Sequence, residues 1–367
     1  MKRLIIIMTG NLLLIFLYLN AASQNKKAND GIKVVINNEK GIWESSPEKR
    51  IELEKDLEIG VLEGDKNKMF YKISDIKVDS EGNIYVLERG NKRVQKFDNK
   101  GNFILTIGAE GQGPGEFKHP IALFVTRDYY IYVLDSENLR VSKFNPNGIF
   151  VSSFKPKNKP IDFVVDSKHN IIILEDGDPN FKLFKYNSKG SLISSFGEIV
   201  AGKNIFETAI LNQGCISIDD NDNVYISYLQ PYKIQKYNAK DNLVAEYSRK
   251  LPYEIIKPMT NVEDRGDVKA VQFNVHTRIT ADIDVKGDRI YHLITNGNNL
   301  FMEGRYVDIF DSSGIYLQKI ELKHLSRKFC VDRLSNFYFI VESSGFKSHF
   351  DKDTSILIPR VEKYKIK

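Results

Sequence analysis

Asp79-Ser-Glu-Gly-Asn83-Ile-Tyr-Val-Leu-Glu88, followed by Asn91-Lys-Arg93-Val-Gln-Lys-Phe97-Asp-Asn-Lys-Gly101-Asn-Phe103-Ile-Leu-Thr-Ile-Gly108, decides how this 367-residue chain reads. Its short runs of Val, Ile, Tyr and Phe, separated by Gly, Asn and Asp, have the composition of strands joined by tight turns. The pattern returns as Tyr130-Ile-Tyr-Val-Leu-Asp135 with Asn138-Leu-Arg140-Val-Ser-Lys-Phe144, and again from Asp166 with Lys182-Leu-Phe-Lys-Tyr186. Further copies start at Asp219, Asp284 and Asp332, the fifth being the loosest. A period of roughly 50 residues with four strands per unit is that of a propeller blade, because one small sheet cannot bury both of its faces alone. Six copies predict an all-β, six-bladed β-propeller.

The sixth copy ends shortly after Tyr364 and lacks a fourth strand. Near the start, Leu57-Glu-Ile59-Gly60 echoes Leu105-Thr-Ile107-Gly108, the fourth strand and exit of the first copy. Residues 50–60 are therefore expected to complete the last blade by pairing with residues 359–366, leaving no open sheet edges at the seam. The expected division is a signal peptide at 1–23, an N-terminal extension at 24–49 and the propeller at 50–367.

The Asp-x-x-Gly-Asn-Ile-Tyr-Val run, the Asn-x-Arg-Val run and the Phe-Asp-x-x-Gly-x-Phe run resemble the NHL-repeat family, and within it the exported bacterial six-bladed β-propellers. The first two copies carry the likeness best, together with Gly111-Gln-Gly-Pro-Gly-Glu-Phe117 ahead of the second. The resemblance implies fold more than function, since such propellers host both binding and catalysis.

Met1-Lys2-Arg3 precedes an apolar run from Leu4 to Leu19, and Ala21-Ala22-Ser23 offers small residues for cleavage before Gln24. That order is the order of a secretory signal, and the run is short for a bilayer span. The expectation is an exported, periplasmic or extracellular monomer with no stable membrane span after cleavage. Removing the leader brings the formal charge of +5 closer to zero, and the lysines are interspersed with acids, so nucleic acid is not an expected partner. Cys215 and Cys330 belong to non-adjacent copies and read as buried free thiols.

Turns between first and second and between third and fourth strands are tight, as in Ser80–Asn83 and Asn145–Gly148. All long insertions (109–119, 198–213, 249–278, 295–305 and 343–358) fall on the other face, where binding on a rigid scaffold normally resides. A site is expected there over the central channel, serving a protein, peptide or glycan ligand. Its candidate residues are Arg89, Asn91, His119, Asn138, Asn180, Tyr232, Arg278 and Asn296. Arg93, Arg140 and Lys182 follow Glu88, Asp135 and Glu175 by one strand, which predicts acid–base pairing across each hairpin.

No cofactor is expected. The alternative is a metal-dependent lyase or lactonase-like hydrolase, and only this alternative calls for zinc or calcium. Zinc lyases with this architecture, by the same resemblance, hold the metal with histidines at the inner strand starts, here Ile73, Pro120, Pro160, Gln213, Thr277 or Arg278, and Ser326. None is histidine, while His119 and His276 stand one or two residues off register. The oxygen-rich Asp219–Asn223 run reads as a turn rather than a calcium loop. Gly108–Gly115 matches neither nucleotide-binding spacing, and Gly-x-Ser-x-Gly is absent.

Overall fold

The computed structural model describes residues 31–255, 260–265, 268–273, 278–295, 303–342 and 358–367. Six antiparallel sheets stand around an axis, each built from four consecutive strands except the last. In the first blade the order from the axis outward is Ile73–Val78, Ile84–Glu88, Arg93–Phe97 and Phe103–Ile107. The inner strands of the later blades are Pro120–Val125, Lys159–Val165, Gly214–Ile218, Thr280–Lys286 and Phe329–Val331. Each inner strand packs beside the next, and the sixth packs back on the first.

The repeat is written in the chemistry of the first turn. Asp79 Oδ1 accepts the Glu81 and Asn83 amides, while Oδ2 accepts Asn83 Nδ2 at 2.9 Å and the Tyr85 hydroxyl at 3.0 Å. Asp219 and Asp332 do the same with Asn223 and Tyr225 and with Asn336 and Tyr338. One carboxylate thus closes the turn and ties down the strand that leaves it, so the Asp, Asn and Tyr recur together. The Asp219–Asn223 cluster is such a turn.

The hydrophobic core lies between blades rather than within them. Tyr85, Leu87 and Val94 of the first blade pack with Leu123, Ile131, Val133 and Phe144 of the second. Ile59, Cys330, Tyr338 and Val361 of the last pack with Ile73, Ile76 and Ile84 of the first. Each such fully buried side chain is worth about 1.5–3 kcal/mol, so blade-to-blade contact is the main source of stability. Both cysteines are buried free thiols.

The ring closes as the sequence predicts. Leu53–Ile59 is the outer strand of the last blade and runs antiparallel to Arg360–Ile366, with Leu53 opposite Ile366 and Ile59 opposite Val361. Lys55 meets Glu362 at 3.1 Å and Lys363 meets Asp56 at 2.9 Å.

The segment upstream of that clasp has no counterpart in the repeat and is placed by tertiary contact alone. Lys33–Asn37 pairs in parallel with Leu243–Arg249 and makes a fifth strand on the fourth blade. The chain then crosses to the fifth blade, where Trp43 N–H donates to Leu317 O at 2.8 Å. Gln318 next binds both the amide and the carbonyl of Ile51. A belt therefore laces the fourth, fifth and sixth blades together from outside. Among the described residues no helix is long and apolar enough to cross a membrane.

Candidate functional site

At one level of the channel the six inner strands present Asp75, Ala122, Asp162, Cys215, Asp282 and Lys328, the residues aligned with Leu87, Leu134, Leu174, Ser227, Leu293 and Ile340 of the second strands. The three aspartates each reach to the following blade. Asp75 accepts the Leu123 amide at 2.7 Å, Asp162 the Ile216 amide at 3.2 Å and Asp282 the Phe329 amide at 3.2 Å. Lys328 Nζ lies 2.9 Å from Asp282 and, directly across the axis, 3.5 Å from Asp162. This ion network closes the waist of the channel.

Burial works against the Lys328 charge, but Asp162 and Asp282 outweigh it and hold the ammonium well above its ordinary range. Burial pushes the Asp282 carboxyl up to about 6 against the pull of Lys328 and Lys77. One layer below, Asp284 accepts the Val331 amide at 2.7 Å, and Lys77 pairs with Asp75 at 3.1 Å. Among the described residues, Asp162, Cys215 and Asp282 bring potential metal-ligand atoms within 4.8 Å of one another. Burial keeps the Cys215 thiol protonated, and the Lys328 ammonium already sits against both carboxylates. The grouping contains neither candidate histidine.

Above the waist the channel opens into a mouth framed by Lys72, His119, Lys159, Gln213 and Ile279, the residues at or just ahead of the inner strand starts. Their carbonyls or ladder positions meet Arg89, Ser136, Asp176, Leu229 and Thr295 at the ends of the second strands. The third, fourth, fifth and sixth inner strands begin at Lys159, Gly214, Thr280 and Phe329, which corrects the expected starts at Pro160, Gln213, Thr277 or Arg278, and Ser326; Ser326 instead ends the outer strand Tyr316–Ser326 of the fifth blade.

The structure brings Arg89, His119 and Arg278 to this mouth and sends other candidates elsewhere. His119 Nδ1 lies 2.8 Å from Ser136 Oγ, and burial, then the nearby Arg89 charge, lowers its pKa. Asn91 and Asn138 stand in the second turns, where their side-chain amides bind Glu88 at 2.5 Å and Asp135 at 3.1 Å. Asn180 is exposed, with its amide on Asp178. Tyr232 needs correcting as a loop residue that faces a ligand. It is 4% exposed, and its hydroxyl donates to buried Asp308 at 2.6 Å, between the fourth and fifth blades. Asn296 and His276 lie outside the described residues.

The hairpin pairing rule holds only once. Arg93 meets Glu88 at 2.6 Å, as expected. Arg140 instead donates to the carbonyls of Gln112, Gly113 and Glu116, while Asp135 accepts the amides of Lys118, His119, Glu137 and Asn138. Lys182 binds the Tyr228 hydroxyl, and Glu175 accepts from Tyr186 and Asn158. Local loop geometry decides each partner, and equivalent sequence position does not.

Sequence reasoning missed the waist. A signal was available in Ile73-Ser-Asp75-Ile-Lys77-Val78, where an acid and a base two residues apart share one face of an otherwise apolar strand.

The sequence model of a family, DUF5128, described as a 6-bladed beta-propeller, matches residues 23–337. None of the curated proteins compared matches the sequence. Among solved structures, similarity extends to a candidate exported protein from Bacteroides fragilis NCTC 9343, with 12% identity, TM-score 0.59, and coverage of 91% of this chain and 100% of that one. A DUF4221-family member from Bacteroides vulgatus ATCC 8482 has 11% identity and TM-score 0.56, covering 86% of this chain and 98% of that one. A catalytically inactive virginiamycin B lyase from Staphylococcus aureus, with quinupristin, has 10% identity and TM-score 0.51, covering 86% and 99%. At these identities the likeness is one of fold.

Proposed function

Because the chain belongs to the DUF5128 family of six-bladed β-propellers, we propose that it serves as an exported, non-catalytic binding module whose ligand sits over the channel mouth. The observation that carries this reading is the division of labour along the channel. The waist carboxylates are engaged by neighbouring amides and lysines, while the mouth above them presents Arg89, His119 and Arg278 beside the longer connections. The ligand class is a peptide or glycan met in the periplasm or outside the cell, with the leader at 1–23 removed. The NHL-like register of the repeats belongs to the same reading.

The test is a screen of the purified protein on glycan and peptide arrays, with each hit mapped by hydrogen exchange. Protection is expected at residues 72–74, 89–92, 118–121 and 278–281. Protection confined to the opposite turns at 80–83 and 145–148 would remove the mouth from consideration. Turnover of a hit, with stoichiometric zinc or calcium in the protein, would favour the lyase or lactonase-like alternative.

A further inference from the structure

The belt shows how an extended segment adds to the outside of this ring. On the fourth blade, Lys33–Asn37 pairs along Leu243–Arg249, while Val35 turns inward and packs against the core between the fourth and fifth blades. On the fifth blade the belt meets only the start of the outer strand Tyr316–Ser326, where the amides of Ile42 and Trp43 donate to the carbonyls of Tyr316 and Leu317. The Gln318 side chain then holds Ile51, and the chain moves on to the sixth blade. Among the described residues, no strand pairs with the outer edge of Tyr316–Ser326 from Lys319 onward.

A cleft of about 610 Å³ opens beside this bare edge, between the fifth and sixth blades. It touches every residue from Gln318 to His324. Side chains alternate between the two faces of a strand, so an unbroken run of contacts means that the backbone edge itself lines the cleft. Alternate amides and carbonyls of an outer strand point away from its sheet. The inner ladder also breaks here: Glu321 stands opposite Tyr306 and Ser326 opposite Gly304, so Leu322–Leu325 bulge out against Arg305 alone. Ile320 and Leu322 form one wall, and Phe339, Val341 and Tyr364 the other. The buried acid on that far wall, Glu362, already accepts from Arg360 at 2.9 Å, Lys55 at 3.1 Å and the Tyr364 hydroxyl at 2.7 Å. The cleft therefore offers backbone hydrogen bonds on one side and apolar contact on the other, with no buried charge left to match.

We propose that this cleft takes an extended segment of a partner protein, apolar at alternate residues, which adds as a fifth strand to the fifth blade. Its backbone pairs with Lys319–Leu322, and its apolar side chains take the place that Val35 fills on the fourth blade. The surface lies on the outer wall of the ring, apart from the channel mouth, so its test does not depend on the ligand proposed there.

The experiment is hydrogen exchange on the full protein, read by peptide mass spectrometry, with the synthetic strand Lys-Thr-Val-Thr-Val-Thr-Lys at millimolar concentration. Two comparison peptides carry serine in place of both valines, or the same side chains with every internal amide N-methylated. In the free protein, residues 319–324 should contain fast-exchanging amides whose rates do not change with protein concentration. The alternating peptide is expected to slow them saturably, by about tenfold, as one added backbone hydrogen bond implies, with no change at 80–83 or 118–121. The serine and N-methyl peptides leave the rates unchanged. Leu322→Glu, which puts a charge on the wall, is expected to abolish the effect; because that change also touches the core, the comparison peptides on the unaltered protein carry the test. No slowing at 319–324, equal slowing by the N-methylated peptide, or full protection in the free monomer overturns the proposal. Slowing that follows protein concentration without any peptide also overturns it, and assigns the edge to a second copy of this chain.

Discussion

Lys182 shows how much one position can differ from its equivalents. Arg93 and Arg140 occupy the same place in their blades yet remain partly exposed, whereas Lys182 is 1% exposed, with Nζ on the Tyr228 hydroxyl and 3.4 Å from Asn212 Oδ1. Among the described residues no carboxylate reaches it, and burial, reinforced by the Lys233 charge, brings its pKa down to about 7. The sign of its effect follows from linkage. An amine that titrates near 7 when folded and near 10.5 when unfolded disfavours folding fully at or below pH 7, and the penalty fades as pH rises to 10.5. Lys182→Met should therefore stabilise the protein by on the order of 1–4 kcal/mol at pH 7, with the gain vanishing near pH 10.5 in urea unfolding. A gain independent of pH, or a loss, would show that the amine is charged and paired. The sequence marked the basic position correctly but not its surroundings, because its partners Asn212 and Tyr228 come from the next blade.

Elements governed by local rules were legible, and those governed by tertiary contact were not. The Asp79, Asp219 and Asp332 turns announce themselves because their hydrogen bonds span only a few residues. The belt strand Lys33–Asn37 has no counterpart in the repeat, so nothing in the chain pointed to its berth on the fourth blade. Asn37 is the rivet of that berth. Its Nδ2 donates to Ser248 O at 3.0 Å and Gly314 O at 2.9 Å, and its Oδ1 accepts the Tyr316 amide at 2.9 Å, joining the fourth blade to the fifth. Asn37→Leu should cost about 1–3 kcal/mol and speed hydrogen exchange at the Tyr316 amide. Nearby, a Cβ on Gly41 would lie 2.2 Å from Leu317 O, so the belt needs glycine there for close approach. Unchanged exchange at Tyr316 in Asn37→Leu would mean that the belt rests on the ring without stabilising it.

At the scale of the molecule, the blade count and the clasp at 50–60 were readable from repeat spacing and the missing last strand. The waist was not, because its contacts join strands far apart in sequence. Two truncations separate belt from clasp. A chain starting at residue 50 keeps Leu53–Ile59 on Arg360–Ile366 and should melt cooperatively at a lower temperature. A chain starting at residue 60 leaves the last blade with an exposed edge and should lose cooperative melting and self-associate on a sizing column. Equal melting of the two would place the stability of the seam elsewhere. Lys328 bears on a different matter, since a side chain of fixed length spans from the sixth sector to Asp162 in the third. It acts as a gauge of circumference. Inserting a seventh repeat would move the sixth sector and Asp162 apart beyond its reach and strand that carboxylate without its cation, so a duplication of one unit could not be absorbed unless this crossbar were replaced as well.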